Sequence, residues 1–224
     1  MAAEPFDPVS FSGIVPVFPL PNCVLFPGMF LPLHIFEPRY RAMTAAALEG
    51  EKLIAMALLK PGWQKDYEGS PPIHDVLGVG KIVEDARLGD GRYNLVLLGL
   101  TRVRVLQEVG AGPYRQARVR VLEERTEDDA KSERQRRTLL ALYAEIMKSV
   151  NQGTVPVPPD DVPLGMLVDL VASFLVLDPP LKQELLEELD PSARCDRLLR
   201  MLEGPGAPPP PPRPRSWPRG PSLN

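Results

Sequence analysis

The chain has 224 residues, 44% of them apolar and 25% charged, with a net charge of −3. That balance is ordinary for a soluble globular protein and long enough for one or two domains with a real core. It supplies no overall field for nucleic acid or for an anionic membrane surface.

The first predicted element is an apolar strand from Val15 to Leu20, followed by a Pro-Asn turn and a second strand from Met29 to Phe36. Prolines at 16, 19, 21, 27 and 32 lack an amide donor, which suits edge strands and strand ends. The pair reads as a bent hairpin at a sheet margin. A helix is predicted from Pro38, where the missing amide costs nothing, to Gly50, a natural stop. Residues 53–59 form a continuous apolar run expected to be a buried strand. Residues 60–75 read as a loop punctuated by Pro61, Gly62, Gly69, Pro71 and Pro72.

From 78 to 124 the period becomes two. Gly78–Arg87 and Tyr93–Leu98 flank a Gly89-Asp90-Gly91 turn and read as a hairpin. Val103 and Val105 alternate with Arg102 and Arg104, and Val119 and Val121 with Arg118 and Arg120. This predicts half-buried strands with valine inward and arginine outward. From about 128 the period becomes 3.6. Leu139, Leu142, Ile146 and Val150 share one helical face. Asp160-Asp161 read as the cap of a second helix with Leu167, Leu170, Val171 and Phe174 as its stripe. Asp178-Pro179 and Asp190-Pro191 mark two further helix starts. Residues 205–224 hold nine prolines and read as a disordered, polyproline-rich tail.

The expected fold is therefore α+β. A small bent antiparallel β-rich lobe, a pseudo-barrel with one early helix, occupies residues 1–125. An α-helical bundle lobe of the same domain covers 126–204, and the tail is 205–224. The opening also carries a family pattern. Pro16-Val17-Phe18-Pro19-Leu20, Val24-Leu25-Phe26-Pro27-Gly28, Leu33-His34-Ile35-Phe36-Glu37 and Arg39-Tyr40 fall in register over nearly thirty residues. In this the chain resembles the N-terminal, substrate-binding domain of Lon proteases. Looser features extend the resemblance to about residue 203.

The resemblance implies non-catalytic recognition of polypeptide, through weak docking of exposed apolar segments of unfolded or client proteins, in company with a protease or chaperone system. An adaptor that docks one partner through the domain and the tail is the alternative, with an uncharacterised hydrolase last. The chain is expected to be a stand-alone domain of this type, without the ATPase and Ser-Lys peptidase modules of Lon. The nearest approach to a phosphate-binding loop is Gly78-Val79-Gly80-Lys81, but position 75 is Asp and position 82 is Ile, so the required glycine and hydroxyl are missing.

Candidate site residues are apolar groups in turns and loops: Phe26, Met29 and Phe30 around Pro27-Gly28, and Trp63 and Tyr67 in the 60–75 loop. Of these, Phe26 and Phe30 also suit the core of the bent hairpin, and Trp63, with the polar neighbours Gln64, Lys65 and Asp66, suits a surface. No metal or cofactor is expected: His34, His74, Cys23 and Cys195 show no ligand spacing. His34 reads as a hydrogen-bonded core residue and the two cysteines as small buried apolar groups. The arginine-rich strands read as a solvated face, because Glu108, Glu123 and Glu124 dilute them and no aromatics interleave to stack bases. The start of the chain lacks the basic region of a secretory leader, and the apolar stretch Cys23–Leu33 is too short for a membrane span. These features predict a cytoplasmic protein.

Overall fold

The computed structural model describes residues 11–66, 69–110, 112–125, 130–150, 158 and 162–203. Six strands form one sheet: β1 Ile14–Leu20, β2 Phe30–Ile35, β3 Leu53–Leu58, β4 Val76–Arg87, β5 Tyr93–Val109 and β6 Arg115–Leu122. Helix α1, Pro38–Glu49, separates β2 from β3. Four helices follow the sheet: α2 Ala130–Val150, α3 Leu164–Phe174, α4 Pro179–Glu187 and α5 Pro191–Glu203.

The strand order is β2-β5-β4-β3-β1-β6, and β5 also pairs with β6. The second pairing closes β5, β4, β3, β1 and β6 into a small barrel, with β2 added outside on the first half of β5. Closure is possible because β5 is 17 residues long and its pairing slips register where it turns, at Gly80/Val79 and near Leu106. All pairings are antiparallel except β1 with β3.

The expected β1–β2 hairpin does not form. β1 lies between β3 and β6, and β2 is the marginal strand. Two prolines fit inside β1 because its partners hardly overlap. β6 pairs with Ile14–Val17 and β3 with Val17–Leu20, so Pro16 and Pro19 each oppose a single ladder.

The period of two sorts each strand between two cores. Val15, Val17, Ala55, Ala57, Leu77, Val79, Val103 and Val119 fill the barrel. Phe18, Ile54, Met56, Ile82, Leu95 and Leu97 face outward and are covered by Tyr40 and Met43 of α1. Both faces of β3 are thus buried, which is why it reads as an unbroken apolar run. The α1 boundaries agree with the sequence: Pro38 stands at its start, and the Gly50 amide donates to the carbonyls of Ala46 and Ala47 at its end. Gly91 takes φ +81° in the β4–β5 turn.

The third core belongs to the helices. Leu139, Ile146, Leu167, Val171, Leu185 and Leu198 pack together with Phe26 and Val76 from the β-rich part. Asp190 caps α5 through its carboxylate, which accepts from the amides of Ser192 and Ala193 at 2.8 and 3.0 Å. Asp178 stands at the N-cap of α4 without a side-chain cap. Pro163, not an aspartate, is the N-cap of α3. Asp160, Asp161 and the proline-rich 205–224 lie outside the described residues.

One expectation on β5 is overturned. Arg102 was expected to face solvent but is 2% exposed. The outer face of β5 at this point is roofed by the helices, so the outward residue of the alternation enters a second core. Its Nε donates to the Leu186 carbonyl at 3.0 Å, and its Nη2 donates to both Asp169 oxygens at 2.7 and 2.9 Å. Its Nη1 and the Nη2 of Arg194 both donate to Glu124, each at 2.7 Å. Arg104, Arg118 and Arg120 are exposed as expected, and Arg115 is half-buried against Glu108.

Burial pushes the Asp169 carboxyl above its ordinary value, and the guanidiniums of Arg102 and Arg194 pull it back. Removing one partner of such a buried set leaves the others uncompensated. Asp169→Ala is expected to cost about 3–5 kcal/mol in urea unfolding. Arg118→Ala, at an exposed position of β6, is expected to stay within about 0.5 kcal/mol. Equal effects from the two variants would mean that the buried cluster does not hold sheet and helices together.

Candidate functional site

The segment between β1 and β2 passes over the sheet very closely. A Cβ at Gly78 of β4 would overlap the Leu25 carbonyl, and one at Gly99 of β5 would overlap the Phe26 carbonyl. Only glycine permits this approach. The Gly28 amide donates to the Gly99 carbonyl, and the Gly99 amide returns a bond to Met29, both at 2.8 Å. Gly78 and Gly80, the fragment that loosely resembles a phosphate loop, are thus the bed on which Leu25 lies. Leu25 then enters the core beneath α1, while Phe26 enters the helical core.

Where this segment meets the end of α3 and the first turn of α4, a groove of about 270 Å³ opens. One wall is Cys23, Val24, Met29 and Phe30, and the other is Leu177 and Lys182. Phe30 is 68% exposed, the most exposed large apolar residue among those described. Val176, also exposed, precedes Leu177. The Ser173 hydroxyl donates to the Leu170 carbonyl at 2.7 Å and lies 3.1 Å from the Met29 sulfur. The Lys182 ammonium donates to the Ser173 carbonyl at 3.1 Å. Burial lowers the Lys182 pKa from its ordinary value and pushes the Cys23 thiol up to about 11.

Beside the groove, β2 is bonded among the described residues on one side only, to β5. Phe30 and Leu31, its first two residues, line the groove. Pro32, which has no amide, weakens this margin as a template for uncontrolled pairing. His34 sits on it, exposed rather than in the core. Its Nδ1 donates to Asn94 at 2.6 Å, and its Nε2 accepts from Arg92 at 3.3 Å.

The structure brings together only part of the expected set. Met29 and Phe30 line the groove. Phe26 contributes to its floor but is 1% exposed and belongs to the core. Trp63, in a short 3-10 turn, is half-buried against the barrel cluster and does not line the groove. Tyr67 lies outside the described residues. Lys182 and Leu177 were missed, since they come from α4 and the link before it, far away in sequence. A lysine in the Pro-Pro-Leu-Lys start of α4 is the only signal the sequence offered.

A larger hollow of about 430 Å³ lies near Tyr40, Arg115 and the β5–β6 turn. Its two arginines are already paired, Arg115 with Glu108 across the hollow and Arg39 with the neighbouring Glu37. Among the described residues no group of three or more His, Cys, Asp or Glu could hold a metal ion. No described helix is long and apolar enough to cross a membrane. Both cysteines are free thiols.

A bent barrel with an added strand, roofed by a helical layer, is a mixed α/β fold. Residues 14–204 match the family model of the ATP-dependent protease La (LON) substrate-binding domain, and the chain belongs to this family. It is 30% identical over 199 residues to a Lon protease of Dictyoglomus thermophilum, across 84% of this chain and 24% of that protein. A Lon protease of Anaeromyxobacter dehalogenans is 29% identical over 85% of this chain and 23% of its own length. The chain thus spans about a quarter of the Lon proteases it matches. The Lon N-terminal domain protein from Xanthomonas campestris shares the fold, with a TM-score of 0.64 at 22% identity over 84% of this chain and 97% of that one. The N-terminal domain of the Mycobacterium avium complex Lon protease does so with a TM-score of 0.61 at 23% identity, over 86% and 99%.

Two outcomes follow from the groove's construction. Phe26→Ala should cost about 3–5 kcal/mol in urea unfolding, as for a core aromatic. Phe30→Ala should stay within about 0.5 kcal/mol. In alkylation with iodoacetamide the thiolate is the reacting form. With a pKa of about 11, Cys23 should react far more slowly at pH 8 than free cysteine, and its rate should still be climbing at pH 10. Cys195, fully buried and pushed up to about 12, should remain unlabelled in the native chain.

Proposed function

We propose that the chain is a non-catalytic polypeptide-recognition module whose groove takes exposed apolar segments of client proteins. The observation that carries this reading is the largely exposed Phe30 at the lip of a groove lined by Met29, Leu177 and Lys182, beside a strand that among the described residues is bonded on one side only. An exposed aromatic beside an adaptable methionine suits varied apolar side chains. A one-sided strand can add main-chain hydrogen bonds that do not depend on sequence. Family membership supports the same reading, because the matched region is the substrate-binding part of Lon rather than its catalytic part.

The groove's chemistry supports recognition over catalysis. The Ser173 hydroxyl is engaged by a backbone carbonyl within its own helix, and no histidine approaches it. His34 and His74 are held by Asn94 and Glu187 on other parts of the surface. A nucleophile needs a base within hydrogen-bond reach; the one amine lining this groove, Lys182, bonds to the Ser173 carbonyl and not to its hydroxyl. Clients delivered to a protease or held for a chaperone are the partners this reading implies.

The test is fluorescence anisotropy with labelled, reduced and carboxymethylated α-lactalbumin as a permanently unfolded client. Phe30→Glu should weaken binding by about 1–2 kcal/mol, the lower range for an interface anchor, while leaving the melting temperature unchanged. The native chain should leave the client uncleaved. Undiminished affinity in the folded variant would remove the groove from the site, and cleavage that persists through repurification would overturn the non-catalytic reading.

A further inference from the structure

The groove holds one charged group that its surroundings do not balance. Lys182 lines it from the first turn of α4, half-buried. Among the described residues, the hydrogen-bond acceptor its ammonium reaches is the neutral Ser173 carbonyl. Among the described residues no carboxylate pairs with it. Asp178, four residues earlier, receives the Lys182 amide on its backbone carbonyl, and its side chain makes no ion pair with the ammonium. Cys23, which lines the same groove, has its thiol pushed up to about 11 by burial and so brings no negative charge to Lys182 at pH 7. Elsewhere the chain pairs its buried cations: Arg102 and Arg194 each meet carboxylates. A desolvated ammonium lacking a counter-ion is costly, and a ligand anion would offset that cost.

The direction of β2 says which anion. Its Phe30 end, not its Ile35 end, lies at the groove. β2, β5 and β4 run antiparallel in succession. An added strand continuing that alternation runs from Ile35 towards Phe30 and finishes at the groove with its carboxyl terminus. Antiparallel pairing is also the slightly more stable arrangement.

We propose that Lys182 selects the free C-terminal carboxylate of an extended apolar peptide that pairs antiparallel with the free side of β2. The terminal side chain lies between Phe30, Met29 and Leu177, and the carboxylate accepts hydrogen bonds from the Lys182 ammonium. This rests on the recognition reading above and narrows it from any apolar segment to apolar chain ends. An acidic side chain within a segment would not reach Lys182 in this pairing while the segment's own end continued past the groove.

The experiment uses a fluorescein-labelled eight-residue peptide of alternating valine and threonine ending in Leu-Phe, prepared as the free acid and as the C-terminal amide. The full chain and its Lys182→Met variant are each titrated with both. The native chain should bind the acid about tenfold more tightly than the amide, the size expected for one charge-assisted hydrogen bond. Lys182→Met, which keeps the apolar stem and is checked by thermal melting, should bind both forms alike at the amide's affinity. Equal binding of both forms by the native chain would overturn this inference and leave general apolar recognition standing. Discrimination that survives in Lys182→Met would overturn it by placing the carboxylate elsewhere. Tighter binding of an amidated peptide with an internal glutamate would transfer the role to acidic side chains and overturn the terminal assignment. Binding of neither peptide, nor of any unfolded client, would overturn both readings.

Discussion

The relation of barrel to helices depends on a buried ion cluster. Arg102 leaves the outer face of β5 and meets Asp169 of α3, Glu124 after β6 and the Leu186 carbonyl of α4. Arg194 of α5 binds the same Glu124 and, at 3.3 Å, the same Asp169. Four elements thus converge on two cations and two anions. Desolvating such groups costs several kcal/mol each, so the cluster is weak as a source of net stability. Its contribution is geometric, because a bidentate guanidinium contact accepts one orientation where apolar packing accepts several. Gly165 leaves the necessary room: a Cβ there would collide with Glu124 and come within 2.8 Å of Arg194 Nη2.

The groove inherits its shape from that fixation. α3, anchored by Asp169, carries in its last turn Ser173, whose hydroxyl touches Met29 and whose carbonyl accepts from Lys182. α4 is fixed twice over, by the Leu186 carbonyl on Arg102 and by Gln183 Nε2 donating to the Val76 carbonyl of β4 at 2.9 Å. The opposite wall is set by the glycines beneath Leu25 and Phe26. Adjacent side chains of one short segment enter different cores, so the segment cannot slide without opening both. What remains exposed is the lip at Phe30.

The early helix, the β4–β5 hairpin, the buried β3 and the helical second half were legible because each rests on local periodicity or on a stop signal such as Gly50. The placement of β1 was not. Its prolines pointed to a margin, and only the staggered pairing with β6 and β3 shows how they sit inside. Arg102 was read as solvated because alternation gives the side of the strand and not what covers it. The sign that went unread was Asp169, a lone carboxylate amid the apolar stripe of α3, which requires a buried partner. In the site, Met29 and Phe30 could be found from an apolar turn next to Pro27-Gly28. Lys182 could not, since nothing local ties residue 182 to residue 30, and a lysine in the first turn of a helix ordinarily faces water.

The central claim is that client polypeptide lies along β2 and into the groove between the Cys23–Phe30 segment and α4. Backbone hydrogen exchange of the full chain, free and saturated with an unfolded client, tests it most directly, because every amide reports separately. Slowed exchange confined to Cys23–Val24, Phe30–His34 and Leu181–Gln183 is the result expected. Protection concentrated instead around Glu108–Gln116, with β2 unchanged, would contradict it.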